Sequence, residues 1–149
     1  MRMTFATYNI HRCTGWDGRY DPERIAGVLK ELDADVIALQ ELNSPDHHGL
    51  ELLNWFSEQT KLRAIAGPTL LHHTGHYGNA VLTRCTEQEI RRVDISQPGR
   101  EPRGAIDLDL ECDHTGTFKS LRRTWGSNPP SVARRSNSCW SASARNIVF

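Results

Sequence analysis

An α/β fold built on a mixed sheet is what the sequence predicts, and three observations predict it. A β-α-β unit is legible over residues 3–41. Its second strand, "VIAL" at 36–39, is a continuous apolar run, as a strand covered on both faces requires. Further on, "GAIDLDLEC" at 104–112 alternates strictly. Ile106, Leu108, Leu110 and Cys112 take one side and Asp107, Asp109 and Glu111 the other, the pattern of a half-buried antiparallel strand. A parallel beginning with an antiparallel continuation points away from a doubly wound nucleotide fold, and no G-x-G-x-x-G or Walker pattern is present.

Taken in order, residues 3–10 are apolar and β-branched enough for a strand, and "HRCTGWDGRY" after them reads as a glycine-bearing loop. Asp21, Pro22 and Glu23 then give a helix start: a capping acid, a proline at the first helical position and an acid in the first turn. Ile25, Val28, Leu29 and Leu32 recur at helical spacing and form one apolar face, which ends at 33–35. The crossover from this helix into "VIAL" favours parallel pairing of the two strands. Leu50, Leu53, Trp55 and Phe56 predict a second helix over about 49–60. "RAIAG" is a short strand candidate, and "HYGNAVLTR" reads as a strand entered through a glycine turn.

Composition divides the chain. Of the 18 basic and 18 acidic residues, six basic and no acidic ones fall in 118–149, leaving 12 and 18 before that point. Serines also crowd into the tail, so a boundary is expected near 117, with a basic Ser/Arg-rich segment at 118–149 that is expected to be disordered. The four cysteines form no C-x-x-C pair, which argues against a zinc or thioredoxin-type site. The N-terminus lacks the apolar core of a signal peptide, and no run is long enough to span a membrane. The expectation is a reduced, soluble, cytoplasmic protein.

Ligands of parallel sheets bind at the carboxyl ends of the strands. Asn9 and Glu41 occupy those ends on the two strands of the β-α-β unit. A carboxylate and an amide oxygen are hard ligands suited to Mg²⁺ or Mn²⁺, which keep room for water and a substrate phosphate. The alternative is ordinary: Asn ends strands as a turn former, and a Glu there is simply solvated. His11, next to the first strand, and Arg103 are further phosphate-contact candidates, set against a surface histidine and a structural salt bridge. His72, His73 and His76 cluster in a loop without carboxylate partners and read weakly as a metal site.

"TYNIH", "LQEL", "YGNAVLTR" and "REPRGAI", in that order, resemble the endonuclease/exonuclease/phosphatase superfamily over about residues 3–112. The resemblance implies the DNase I-like fold, a mixed-sheet sandwich with four α/β/β/α layers in the full family, of which this chain would hold the N-terminal part. It implies hydrolysis of a phosphodiester or phosphomonoester, nucleic acid or small phosphoester, by a Mg²⁺- or Mn²⁺-dependent enzyme. It places Asn9 and Glu41 in the active site, with Glu41 on the metal. Phosphate ester hydrolysis needs developing negative charge neutralised and a water aligned, which fits those residue types.

The family's later elements, a "THL"-like strand, an Asp-x-Asn motif and a terminal Asp-His pair, are not found. Asp46-His47 and Asp113-His114 lie too early in the chain to be that pair. Codons compatible with "KSLRRTWGSNPPSVARRSNSCW", read from the third base of the Lys119 codon, can spell VIATHLGLQPAERRAQVEQLL, a strand ending in "THLG" followed by an amphipathic helix. The expectation is therefore that 118–149 is a frameshift product, that the chain has little hydrolytic activity, and that its exposed sheet self-associates. The competing class is a nucleic-acid-binding module in which Trp125 and Trp140 stack bases beside the tail arginines. Sequencing of the coding DNA checks the first account: an open alternative frame past codon 117 should encode "THLG", then the Asp-x-Asn and Asp-His elements. Closed frames would sink it.

Overall fold

Two strands that begin the chain set the frame. In the computed structural model, which describes residues 3–42, 49–71, 78–100, 103–112 and 147–148, β1 (Phe5–Asn9) pairs parallel with β2 (Val36–Leu42). Helix α1 (Pro22–Leu32) crosses between them. It starts where the sequence places it: the Asp21 side chain accepts the Arg24 N–H at 2.9 Å, with Pro22 in the first turn. It stops at Asp33, which adopts the left-handed conformation with φ 39°. Helix α2 (Gly49–Thr60), strand β3 (Arg63–Ala66), a one-turn helix α3 (Pro68–Leu71) and strand β4 (Gly78–Thr83) follow. β4 runs antiparallel to both β2 and β3, giving a four-stranded mixed sheet of order β1-β2-β4-β3.

A second sheet consists of β5 (Thr86–Asp94), β6 (Gly104–Glu111) and β7 (Ile147–Val148), all antiparallel and in that order. The rest of the basic tail lies outside the described residues, as do Trp125, Trp140, the two Asp-His pairs and the 72–76 histidines. Among the described residues no helix is long and apolar enough to cross a membrane.

Period-2 alternation in the central strands builds two cores. Ile37, Leu39, Ala80 and Leu82 face the helices, where Ile25, Leu29, Leu53 and Phe56 cover them. Val36, Ile65 and Val81 face the other way and meet Ile106, Leu108 and Leu110 of the second sheet. The result is three layers, helices on one sheet on a second sheet, and it is why "VIAL" carries no polar residue. β6 departs from the expected half-burial. Asp107 on its polar side is buried, because Arg91 on β5 lies across it and donates from Nε to Oδ2 at 2.9 Å. That partner makes the buried carboxylate tolerable.

The cysteines also depart from expectation. Cys85 and Cys112 are joined in a disulfide across a sequence separation of 27, tying the β4–β5 turn to the end of β6, while Cys13 is free and buried. Closing a loop of that length removes chain entropy worth about 3.5 kcal/mol from the unfolded state. Dithiothreitol is expected to lower the urea midpoint correspondingly. No change in midpoint, or two titratable thiols at these positions in the untreated protein, would contradict the bond.

Candidate functional site

The site is built where β1 and β2 finish. β1 is an edge strand: Ala6 and Tyr8 pack towards the helices, so Thr7 and Asn9 take the opposite face. On β2, strict alternation would put Glu41 on Leu39's side, in the helix-facing core. It does not go there, because a bulge intervenes. Leu39 pairs with Ala80 and Leu42 with Gly78, three steps on β2 against two on β4. Glu41 takes φ 56°, and Leu42 returns to the same core as Leu39. The extra residue re-aims Glu41 onto Asn9's side of the sheet.

There the two side chains meet. Asn9 Nδ2 donates to Glu41 Oε1 at 2.8 Å, and the His11 backbone N–H donates to Asn9 Oδ1 at 3.0 Å. His11 Nδ1 stands 3.4 Å from Glu41 Oε2, an ion pair whenever the imidazole is protonated. Beside them the Thr7 and Gln40 side chains hydrogen-bond at 3.1 Å, closing the strand pair. His11 is well exposed and the Glu41 side chain about one-third exposed, so both are open to a ligand.

The loop after β1 is held in an unusual form. His11, Arg12 and Cys13 have consecutive positive φ values of 47°, 54° and 57°, each unfavourable for a residue with a Cβ. Cys13 is fully buried, and its carbonyl accepts the Asp21 N–H at 2.8 Å, which holds the turn. Burial, with the nearby Asp21 and Glu23 carboxylates adding to it, pushes the Cys13 thiol up from 9.0 to about 12. Both states keep this proton below pH 9. Between pH 9 and about 12 the unfolded chain loses it and the folded chain does not, so stability falls as pH rises through that window. The fall in urea midpoint from pH 8 to pH 11 is expected to be smaller in Cys13→Ala. An equal fall would refute this role for the thiol.

Of the sequence candidates, the structure thus brings Asn9, Glu41 and His11 together. Arg103 lies apart from them, in the turn between β5 and β6. Its N–H donates to Ser96 Oγ at 2.9 Å and its carbonyl accepts the Ile95 N–H at 3.0 Å. Among the described residues no group of three or more His, Cys, Asp or Glu side chains converges as a metal cage. The Asn9 amide nitrogen, and not its oxygen, faces Glu41, so Asn9 orients the carboxylate and Glu41 is the anionic ligand on offer. One carboxylate with free lone pairs suits Mg²⁺, which is held through one or two carboxylates plus waters and phosphate.

A cavity of about 730 Å³ opens beside the cluster, lined by Asn9 and His11 and by Tyr8, Trp16, Ile25 and Val28. Sequence reasoning passed over Trp16. The signal was there in a tryptophan set in "GWDG", a turn that offers it no core to enter.

Comparison with known proteins agrees with this architecture. The profile of the Endonuclease/Exonuclease/phosphatase family matches residues 6–145. The chain is 30% identical over 120 residues to the "Uncharacterized protein YbhP" of Escherichia coli K12, a match covering 74% of this chain and 47% of that protein. The chain therefore spans about half the length of the relatives it matches. Among solved structures it is similar to an endonuclease/exonuclease/phosphatase from Beutenbergia cavernae, with a TM-score of 0.59 at 22% identity, over 84% of this chain and 39% of the other. It is also similar to ANGEL2, a 2',3'-cyclic phosphatase, with a TM-score of 0.55 at 18% identity over 80% and 41%. TDP2 from Caenorhabditis elegans follows, with a TM-score of 0.52 at 18% identity over 82% and 35%.

Proposed function

Because the chain belongs to the Endonuclease/Exonuclease/phosphatase family, we propose that its Asn9–Glu41–His11 cluster is the metal- and phosphate-binding part of a phosphoester hydrolase active site. The observation that carries the reading is the bulge at the end of β2. It takes a carboxylate out of a core-facing position and delivers it, hydrogen-bonded to Asn9, to the carboxyl end of a parallel strand pair.

Glu41 would hold Mg²⁺ or Mn²⁺, which when bound supplies the positive charge that offsets the build-up on a phosphoryl oxygen. Asn9 fixes the carboxylate: with Nδ2 on Glu41 and Oδ1 on the His11 N–H, the amide cannot rotate without breaking both bonds. His11 places a proton donor next to the same carboxylate, within reach of a phosphate oxygen bound there. Carboxylate, amide and imidazole together match the demands of phosphoryl transfer, which are positioning and charge stabilisation more than covalent chemistry.

A single carboxylate ligand leaves most of the coordination sphere to water, so metal binding alone should be weak and should strengthen when phosphate completes the sphere. Calorimetric titration with Mg²⁺ and Mn²⁺, with and without inorganic phosphate, tests this, together with cleavage of bis(4-nitrophenyl) phosphate. Synergy between metal and phosphate is the expected result. Phosphate that binds equally well without metal would refute the reading.

A further inference from the structure

Trp16 is fully exposed, yet it stands on one of the most constrained turns of the molecule. Within residues 15–18 the Gly15 N–H donates to the Arg19 carbonyl at 3.1 Å and the Gly18 N–H to the Gly15 carbonyl at 2.9 Å. A bridge between Thr14 and Tyr20 closes the base of the turn. Asp17 locks it to α1: its carboxylate accepts the Arg19 N–H at 3.0 Å and Arg24 Nη1 at 3.3 Å. The Arg19 N–H and then the Arg24 guanidinium hold that carboxyl below its ordinary range. At Gly15 the Arg24 guanidinium and the Asp17 carboxylate close over the backbone, in the space a Cβ would take. Gly18, at φ 70°, supplies the conformation that closes the turn.

A flexible loop would carry an indole loosely. This one fixes the backbone beneath it, and Trp16 lines the 730 Å³ cavity together with Ile25, Val28, Asn9 and His11. An aromatic side chain, apolar side chains and polar Asn9 and His11 around one cavity are the composition of a small-ligand site, and the volume lies in the usual range for one. The indole is also among the best stacking surfaces a protein offers to a planar ring.

We propose that Trp16 is a specificity-determining residue: a stacking platform for a planar aromatic ring borne by a phosphate ester whose phosphate sits at the Asn9–Glu41–His11 cluster. This rests on the phosphoester reading of that cluster, and the ring comes from a nucleobase or from an aryl ester. The platform acts by binding and takes no part in bond cleavage. Its signature is an affinity difference between aromatic and non-aromatic esters that follows residue 16.

The test measures equilibrium binding of 5'-AMP, phenyl phosphate, ribose 5-phosphate, adenosine and ribose to the full 149-residue chain in Mg²⁺. Wild type, Trp16→Ala and Trp16→Phe are compared. The aromatic esters are expected to bind roughly tenfold or more tighter than ribose 5-phosphate, the range of base–aromatic stacking. Trp16→Ala should abolish that difference and leave ribose 5-phosphate unchanged, while Trp16→Phe should keep most of it. A preference confined to 5'-AMP identifies the ring as a nucleobase, and one confined to phenyl phosphate identifies an aryl ester. Equal binding of all three esters by wild type, or an aromatic preference that survives Trp16→Ala, overturns the proposal. If ribose 5-phosphate binds no better than ribose while adenosine still binds through Trp16, the phosphate reading fails and the platform stands.

Discussion

Glu41→Gln is expected to weaken Mg²⁺ and Mn²⁺ binding by at least tenfold, and to bring any metal-dependent cleavage of bis(4-nitrophenyl) phosphate to background. The substitution keeps the size of the side chain. Its carbonyl oxygen still accepts from Asn9 Nδ2, the bond that measures 2.8 Å in the native protein. What it removes is the one negative charge that the cluster offers to a divalent ion, and a hard cation discriminates strongly between a carboxylate and an amide. The side chain is partly exposed and outside both cores, so the unfolding free energy from urea denaturation should change by no more than about 0.5 kcal/mol, the scale of surface substitutions. Unchanged metal affinity in this variant would remove Glu41 from the site. A large loss of stability would mean that its role is structural.

Phe56→Ala is the change expected to cost most in stability, about 3–5 kcal/mol. Phe56 is fully buried on α2 within the helix-facing core, among Leu39, Leu53, Leu82 and their neighbours, and its ring lies 5.4 Å from that of Trp55. Truncation leaves a void that the sheet behind it cannot close, because β2 and β4 are fixed by pairing on both sides. Against a typical total of about 5–15 kcal/mol this is a large share, so the variant should melt far lower or fail to accumulate folded. Urea denaturation of both proteins decides it. A cost under about 1 kcal/mol would mean that α2 is not seated as described.

Much of this architecture is legible in the sequence, because its elements obey simple periods. α1 is bracketed by Asp21-Pro22 and closed by Asp33, and α2 spans the 49–60 stretch its apolar spacing indicates. β2 is buried on both faces, as "VIAL" implies, and its parallel pairing with β1 follows from the crossover. β5 was not legible. Its apolar residues, Ile90 and Val93, are three apart, and a register shift between Glu87 and Glu89 breaks alternation further. The strand exists because β6 offers it a ladder of hydrogen bonds, which is tertiary information. The same holds for Asp107, whose burial depends on Arg91 arriving from another strand. At the site, Asn9 and Glu41 could be picked out because they end strands. Their contact could not, because it depends on a left-handed residue and a bulge that leave no mark in composition. The disulfide was missed for a related reason: cysteines 27 residues apart are brought together by the pairing of β5 with β6, which sets Thr86 opposite Glu111 beside them.

The bulge in β2 makes chemistry here a matter of counting. In a regular strand, which way a side chain points is a parity: even positions one way, odd positions the other. Between Leu39 and Leu42 the chain changes parity once, so the core residues on either side stay in step while the acid between them does not. The acid's direction is therefore set by the extra step of the bulge, and not by the letters of the strand. The same residues running in regular alternation, with no bulge, would keep every letter, yet point that acid into oil. A related strand that carries the same letters without the bulge has the same apparent motif and no site. Motif matching reads letters. In this protein the meaning of the letters is set by an odd number of steps between two leucines.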